Sequence, residues 1–241
     1  ARDLGVNHFS PLLAAFAFKW LLAVMVFLLA VESLMFIPTV GFIVKLYVAS
    51  LAGAQMLALF ALAASGKPPP LRMLLGAFSL PLPAQAALAA CALVPFFAGI
   101  AYLVMQGGTD SVAYFFGNIL KDKPPAPDAF FAFKNVMSVP AVALTFVPAA
   151  VVLNGLSGWA AMSKGIAAAI VNWQALLVLL ALSVVFEWVI GELPTALPGA
   201  AGVTVSIVLL LAFLAWSFAF MYTLSARAFG LHLGNVGRPL A

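Results

Sequence analysis

Glu32 and Lys45 are charged side chains set inside apolar runs, one on each side of the turn "IPTVG" at residues 37–41. Glu32 lies seven residues before Thr39 and Lys45 six after it. At a helical rise of about 1.5 Å per residue, both stand roughly 9–10 Å from the turn and so share a depth. A charge at the centre of a bilayer costs about 2.5–3.5 kcal/mol on insertion scales. A carboxylate facing an ammonium lowers that cost for both, and the Glu32–Lys45 pair reads as a clamp between two neighbouring helices. A proton or cation relay is the functional alternative.

Other polar residues have the spacing of anchors. Lys19 adjoins Trp20, which suits a snorkelling ammonium beside an interfacial indole. In "GWAAMSKGIAAAIVNWQALL", residues 158–177, Lys164 is the one cation, and no further charge occurs before Glu187. Ala161, Gly165 and Ala169 recur every four residues, so on a helix they form a smooth stripe that lets another helix come close. The stretch before Trp173 is thus expected to be a short surface helix packed on a bundle and held by Lys164. Trp173 and Trp188 are fifteen residues apart, about 22 Å along a helix, and tryptophan favours the two faces of a bilayer. Asn172 and Gln174 then fall at the inner boundary, and Glu187 near the outer one.

Catalysis has little to stand on. His8 and His232 lie in the two tails, and there is no His-x-x-x-His, Gly-x-Ser-x-Gly or phosphate-binding glycine loop. Haem ligation inside a bundle would need histidines in the spans. The single cysteine, Cys91, sits in an apolar run, which excludes an intramolecular disulfide and a multi-cysteine metal site. The expectation is a chain that is not an enzyme, with no catalytic residues, no metal site and no cofactor.

The elements that hold these residues follow from composition. Of 241 residues 66% are hydrophobic and only 7% are charged, against about 25% charged in a soluble domain. A soluble fold of this size cannot hide so much apolar surface. Six runs reach the length of about 20 apolar residues that a bilayer needs: 18–37, 42–64, 84–105, 136–152, 173–190 and 200–222. The fold class expected is all-α: one polytopic membrane domain over residues 1–241, with six transmembrane helices and short interfacial helices.

Charge sets the expected orientation. With the N-terminus in the cytoplasm, Arg2, Lys67, Arg72, Lys164, Arg227 and Arg238 fall inside, and Lys121, Lys123 and Lys134 outside. The positive-inside rule favours this arrangement, with both termini cytoplasmic. The longest connection, residues 106–135, is then an outer loop whose Tyr114, Phe115, Phe116, Phe130, Phe131 and Phe133 suit interfacial contacts. No basic patch with interleaved aromatics points to nucleic acid, so the net charge of +4 reflects topology.

Two function classes remain. The first is a non-catalytic accessory, assembly or scaffold component of a bacterial inner membrane, with the lipid bilayer and other membrane protein subunits as partners. The small-residue stripe and the poverty of polar groups favour it. The second is a secondary transporter or channel for a small or lipophilic solute. It draws on Glu32–Lys45 and on an echo between residues 72–93 and 164–185, each a surface segment with one cation followed by a span.

Overall fold

A computed structural model of the chain describes residues 40–64, 76–106, 112, 126–197 and 199–230, and its regular structure is all helical. Among the described residues the helices run, in order, α1 (Val40–Ala64), α2 (Leu82–Met105), α3 (Pro127–Leu144), α4 (Val147–Val152), α5 (Gly158–Val171), α6 (Trp173–Ala196) and α7 (Ala200–Ala228). Five stretches are long and apolar enough to cross a membrane, as a multi-pass protein requires: Ile43–Leu62, Leu82–Met105, Asp128–Val152, Trp173–Glu192 and Ala201–Ala228. The expected first span, residues 18–37 with Lys19, Trp20 and Glu32, lies outside the described residues, as do both tails.

One boundary is corrected. The span expected to start at residue 136 starts at Asp128, so residues 127–135 are helix and not the end of an outer loop. The run "PPAPD" supplies the start signals. A proline stands in the first turn and Asp128 follows it. A proline there gives up an N–H that has no helical partner anyway, and a carboxylate near a helix N-terminus is favourable. Phe133 is then buried, with its ring 6.3 Å from that of Phe96 on α2.

Pro148 explains the interruption between α3 and α4. Residue 148 would bond the carbonyl of Leu144, but proline has no N–H to give, and the chain turns at Thr145 and Phe146. The Thr145 hydroxyl donates back to the Ala141 carbonyl at 2.8 Å. The thiol of Cys91 on α2, 3.3 Å from the Ala87 carbonyl, also comes within 3.9 Å of the Leu144 carbonyl. A neighbouring helix thus offers a weak donor where the proline withholds one.

After α4 the chain reverses within residues 153–157. Gly155 takes φ +64°, the left-handed region that glycine enters without strain, and the Leu156 N–H bonds the Ala150 carbonyl at 3.1 Å. Helix α5 folds back against α4 with Ala161, Gly165 and Ala169 buried. A Cβ on Gly165 would lie 2.6 Å from Val147 Cγ2 and 2.8 Å from the Val147 Cα and N. In lipid there is no hydrophobic force between helices, so this close approach of backbones is itself a source of association.

The core has three parts. Leu51 and Ala54 of α1, Ala84 and Leu88 of α2, Val147 and Val151 of α4 and Ala161 of α5 form one. Met56 and Phe60 of α1, Phe146, Ala169, and Met221 and Tyr222 of α7 form the second. Phe96, Ile100 and Leu103 of α2 with Phe133 of α3 form the third. Helix α1 contributes to the first two and is the central rod. A polar link ties the short turn of 3₁₀ helix at residues 76–79 to this rod: Tyr47 donates to Gln85 Oε1, and Gln85 Nε2 donates to the carbonyls of Phe78 (2.9 Å) and Leu80 (2.7 Å).

Gly165→Ala is expected to lower unfolding stability in detergent by about 1–3 kcal/mol, the usual cost of overpacking. Gly53, whose Cβ would meet nothing within 4 Å, is the control. Gly53→Ala is expected to leave stability unchanged or raise it by up to about 1 kcal/mol through helix propensity. Thermal unfolding followed by circular dichroism measures both.

Candidate functional site

Helices α6 and α7 stand apart from the rest. In the most apolar stretch of each, only 6% of residues are buried, against 50% in α1, 39% in α2 and 33% across α3 and α4. The two helices pack on each other as a hairpin, with the Phe186 and Phe213 rings stacked 3.9 Å apart. The stack continues along α7 from Phe213 to Trp216 (5.8 Å) and from Trp216 to Phe220 (5.5 Å). Near its C-terminal end α7 joins the core, where Phe218 stacks on Phe60 of α1 at 6.4 Å. Toward the other end the hairpin is open, and Val184, Val185, Val203, Ile207 and Val208 are exposed.

A polar contact crosses from the bundle to this open part. Lys134 Nζ of α3 lies 2.5 Å from Glu187 Oε2 of α6. Both residues fall within stretches that qualify as membrane spans, Asp128–Val152 and Trp173–Glu192. Lys134 stands beside Phe133, six residues, or about 9 Å, from the start of its stretch. The side chains are 46% and 63% exposed, so the pair lies on the bundle's flank and not in its core. Spacing along the chain could not reveal it, because the partners are 53 residues apart. Lys134 reads from the sequence as part of the outer loop and Glu187 as a lone acid near a span end, so neither points to the other.

The structure also places the other expected residues. Lys45 is on α1 and half-buried; its expected partner Glu32 is outside the described residues. Trp173 and Trp188 are exposed on α6, which continues past Trp188 to Ala196. Asn172, expected at the inner boundary, donates from Nδ2 to the Ala168 carbonyl at 2.8 Å and so closes the end of α5. Lys164 is exposed on α5, with Nζ 6.0 Å from the centroid of the Phe229 ring. Among the described residues no three His, Cys, Asp or Glu side chains gather as a metal site would need.

Chemically, this arrangement offers an apolar two-helix surface with one lateral ion pair. Comparison of the chain with protein-family models, curated proteins and solved structures returned no match.

The charge-reversing variants Lys134→Glu and Glu187→Lys are each expected to lower the unfolding temperature in detergent. The double variant restores it, with a coupling energy of about 0.2–1 kcal/mol for a pair this exposed. Melting curves of the four proteins measure the coupling.

Proposed function

We propose that this chain is a non-catalytic accessory or assembly subunit of a bacterial inner membrane, docking on other membrane proteins through the α6–α7 hairpin. The observation that carries the reading is the difference in burial: 6% in each hairpin stretch against 33–50% in the other three. Helices held by lipid alone gain nothing by standing apart in an ordered pair. A hairpin that keeps its outer faces clear, while the other helices pack closely, suits insertion between the helices of a partner. Exposed aromatic and β-branched side chains supply contact area at modest cost in side-chain entropy.

In this reading the Lys164 and Arg227 end faces the cytoplasm and the Lys134–Glu187 end faces outward. Among the described residues the acids Asp128, Glu187 and Glu192 all belong to the second end, by their places on α3 and α6. The positive-inside rule then gives the orientation.

A secondary transporter or channel for a small or lipophilic solute is the second reading. Lys134–Glu187 and the broken helix α3–α4 favour it, because broken helices and intramembrane charges line solute paths in transporters. Against it stands the filling at the break, where Phe146, Val147, Ala149, Ala150 and Val151 are at most 1% exposed.

A photo-crosslinking side chain placed at Val184 or Val208 is expected to give discrete protein adducts in native membranes, and none when placed at buried Leu88. Lipid adducts alone at both hairpin positions would remove the docking reading. Solute uptake by vesicles of the purified chain, abolished by Lys134→Gln, would establish the second reading in its place.

A further inference from the structure

The Lys134–Glu187 pair lies at the depth of a phospholipid headgroup. Lys134 is six residues inside the stretch that begins at Asp128, and Glu187 is five residues inside the stretch that ends at Glu192. At a rise of about 1.5 Å per residue these depths are roughly 9 and 8 Å. Two separate helices thus bring opposite charges to one level, within the outer zone of about 5–10 Å where headgroups meet acyl chains. The pair is open to its surroundings, and the contact engages Nζ of the lysine and Oε2 of the glutamate. An ammonium has three donors and a carboxylate two oxygens, so both groups can bind more. Exposed rings border them: Phe131, one turn before Lys134, and Trp188, next to Glu187. On the other side of Lys134, Ser138 and Ala141 follow on the same face of α3. Ser138 donates its hydroxyl to the Lys134 carbonyl at 2.9 Å, and Ala141 is exposed. The strip leading from the cation toward the middle of the span is therefore narrow-sided and apolar.

We propose that Lys134 and Glu187 seat the headgroup of one phosphatidylethanolamine, with an acyl chain lying along Ser138 and Ala141. The Lys134 ammonium takes the lipid phosphate, and the Glu187 carboxylate takes the lipid's primary ammonium. Charge complementarity sets the occupant. A facing cation and anion, together without net charge, are matched by a headgroup that carries both signs. An anionic lipid gains at Lys134 and loses at Glu187. Phosphatidylcholine carries both signs, but its quaternary nitrogen has no N–H to donate to a carboxylate, and a charge-assisted hydrogen bond is the stronger contact. Charges on the lipid-facing flank of a span are costly unless paired and hydrogen-bonded, and this headgroup supplies partners for both. The seat stands on α3 and on the polar edge of α6, whatever the apolar faces of the hairpin bind.

The test uses the full chain in nanodiscs of equal parts phosphatidylethanolamine, phosphatidylcholine and phosphatidylglycerol, followed by native mass spectrometry. The wild type is expected to retain one phosphatidylethanolamine after the other lipids are stripped. Lys134→Gln and Glu187→Gln are each expected to reduce that retention about five-fold, and Lys164→Gln on α5 leaves it unchanged. Both side chains are largely exposed, so these variants are expected to fold, and circular dichroism verifies it. In the otherwise unaltered chain, a photo-crosslinking side chain at Ala141 is expected to give phosphatidylethanolamine adducts in native membranes. Equal retention of the three lipids by the wild type overturns the proposal. So does unchanged retention in the double variant Lys134→Gln/Glu187→Gln. An equal fall with Lys164→Gln would mean diffuse surface charge and not a seat, and overturns it too. Protein adducts at Ala141 in place of lipid overturn the commitment to lipid as the occupant.

Discussion

A peptide group inside hydrocarbon has no water to bond, so each N–H and C=O must find its partner within the protein. That constraint governs this chain more than any side-chain contact. It makes the spans helical, and it makes each proline a local problem that the neighbouring structure has to answer. At Pro148 the answer is visible: the helix breaks, Thr145 turns its hydroxyl onto the preceding turn, and Cys91 reaches across from α2 toward the Leu144 carbonyl. The break then shapes the next two helices. Short α4 ends in a turn at Gly155, α5 folds back upon it, and the close contact of Gly165 with Val147 fixes how near the two come.

From that packed centre the architecture grows uneven. Helix α1 is enclosed by α2, α4 and α7, and the polar link from Tyr47 through Gln85 secures the turn before α2. Beyond Asn172, which closes α5 with its own amide, the chain continues as the sparsely buried α6–α7 hairpin, which joins the core through Leu176, Met221 and Tyr222 and where Phe218 meets Phe60. The two sites of polar chemistry sit at opposite ends of this layout. Lys134 and Glu187 bridge bundle and hairpin at one end, while Lys164 of α5 and Arg227 of α7 belong to the other, where no described acid lies. Paired charge where the helices separate, and cations alone among the described residues where they converge, is a pattern that a membrane with an anionic face can use.

Much of this was legible in the residues. The four-residue spacing of small side chains at Ala161, Gly165 and Ala169 defines one helix face, and those three are the buried residues of α5. The helix start at Trp173 falls where the spacing of Trp173 and Trp188 puts it, and the apolar runs of α1, α2 and α7 begin within a turn of where composition puts them. The failures have physical reasons. Residues 127–135 mix phenylalanines with a lysine and an aspartate, which reads as an interfacial loop. The packing of Phe133 on Phe96 and the Lys134–Glu187 contact tie it to the bundle. Ala- and Leu-rich helices look alike whether enclosed or exposed, so nothing in α6 or α7 announces how little of either is buried. The Lys134–Glu187 pair joins residues distant along the chain, and local spacing carries no trace of it.

The central claim is that the described helices cross a bilayer with the α5 end and the α2 C-terminal end on opposite faces. In a Cys91→Ala background, single cysteines at Ser163 and Gln106, both exposed, can be labelled with a membrane-impermeant maleimide in intact cells and in inverted vesicles. The account predicts that Gln106→Cys reacts in intact cells and Ser163→Cys only in inverted vesicles. Labelling of both from the same face would contradict it.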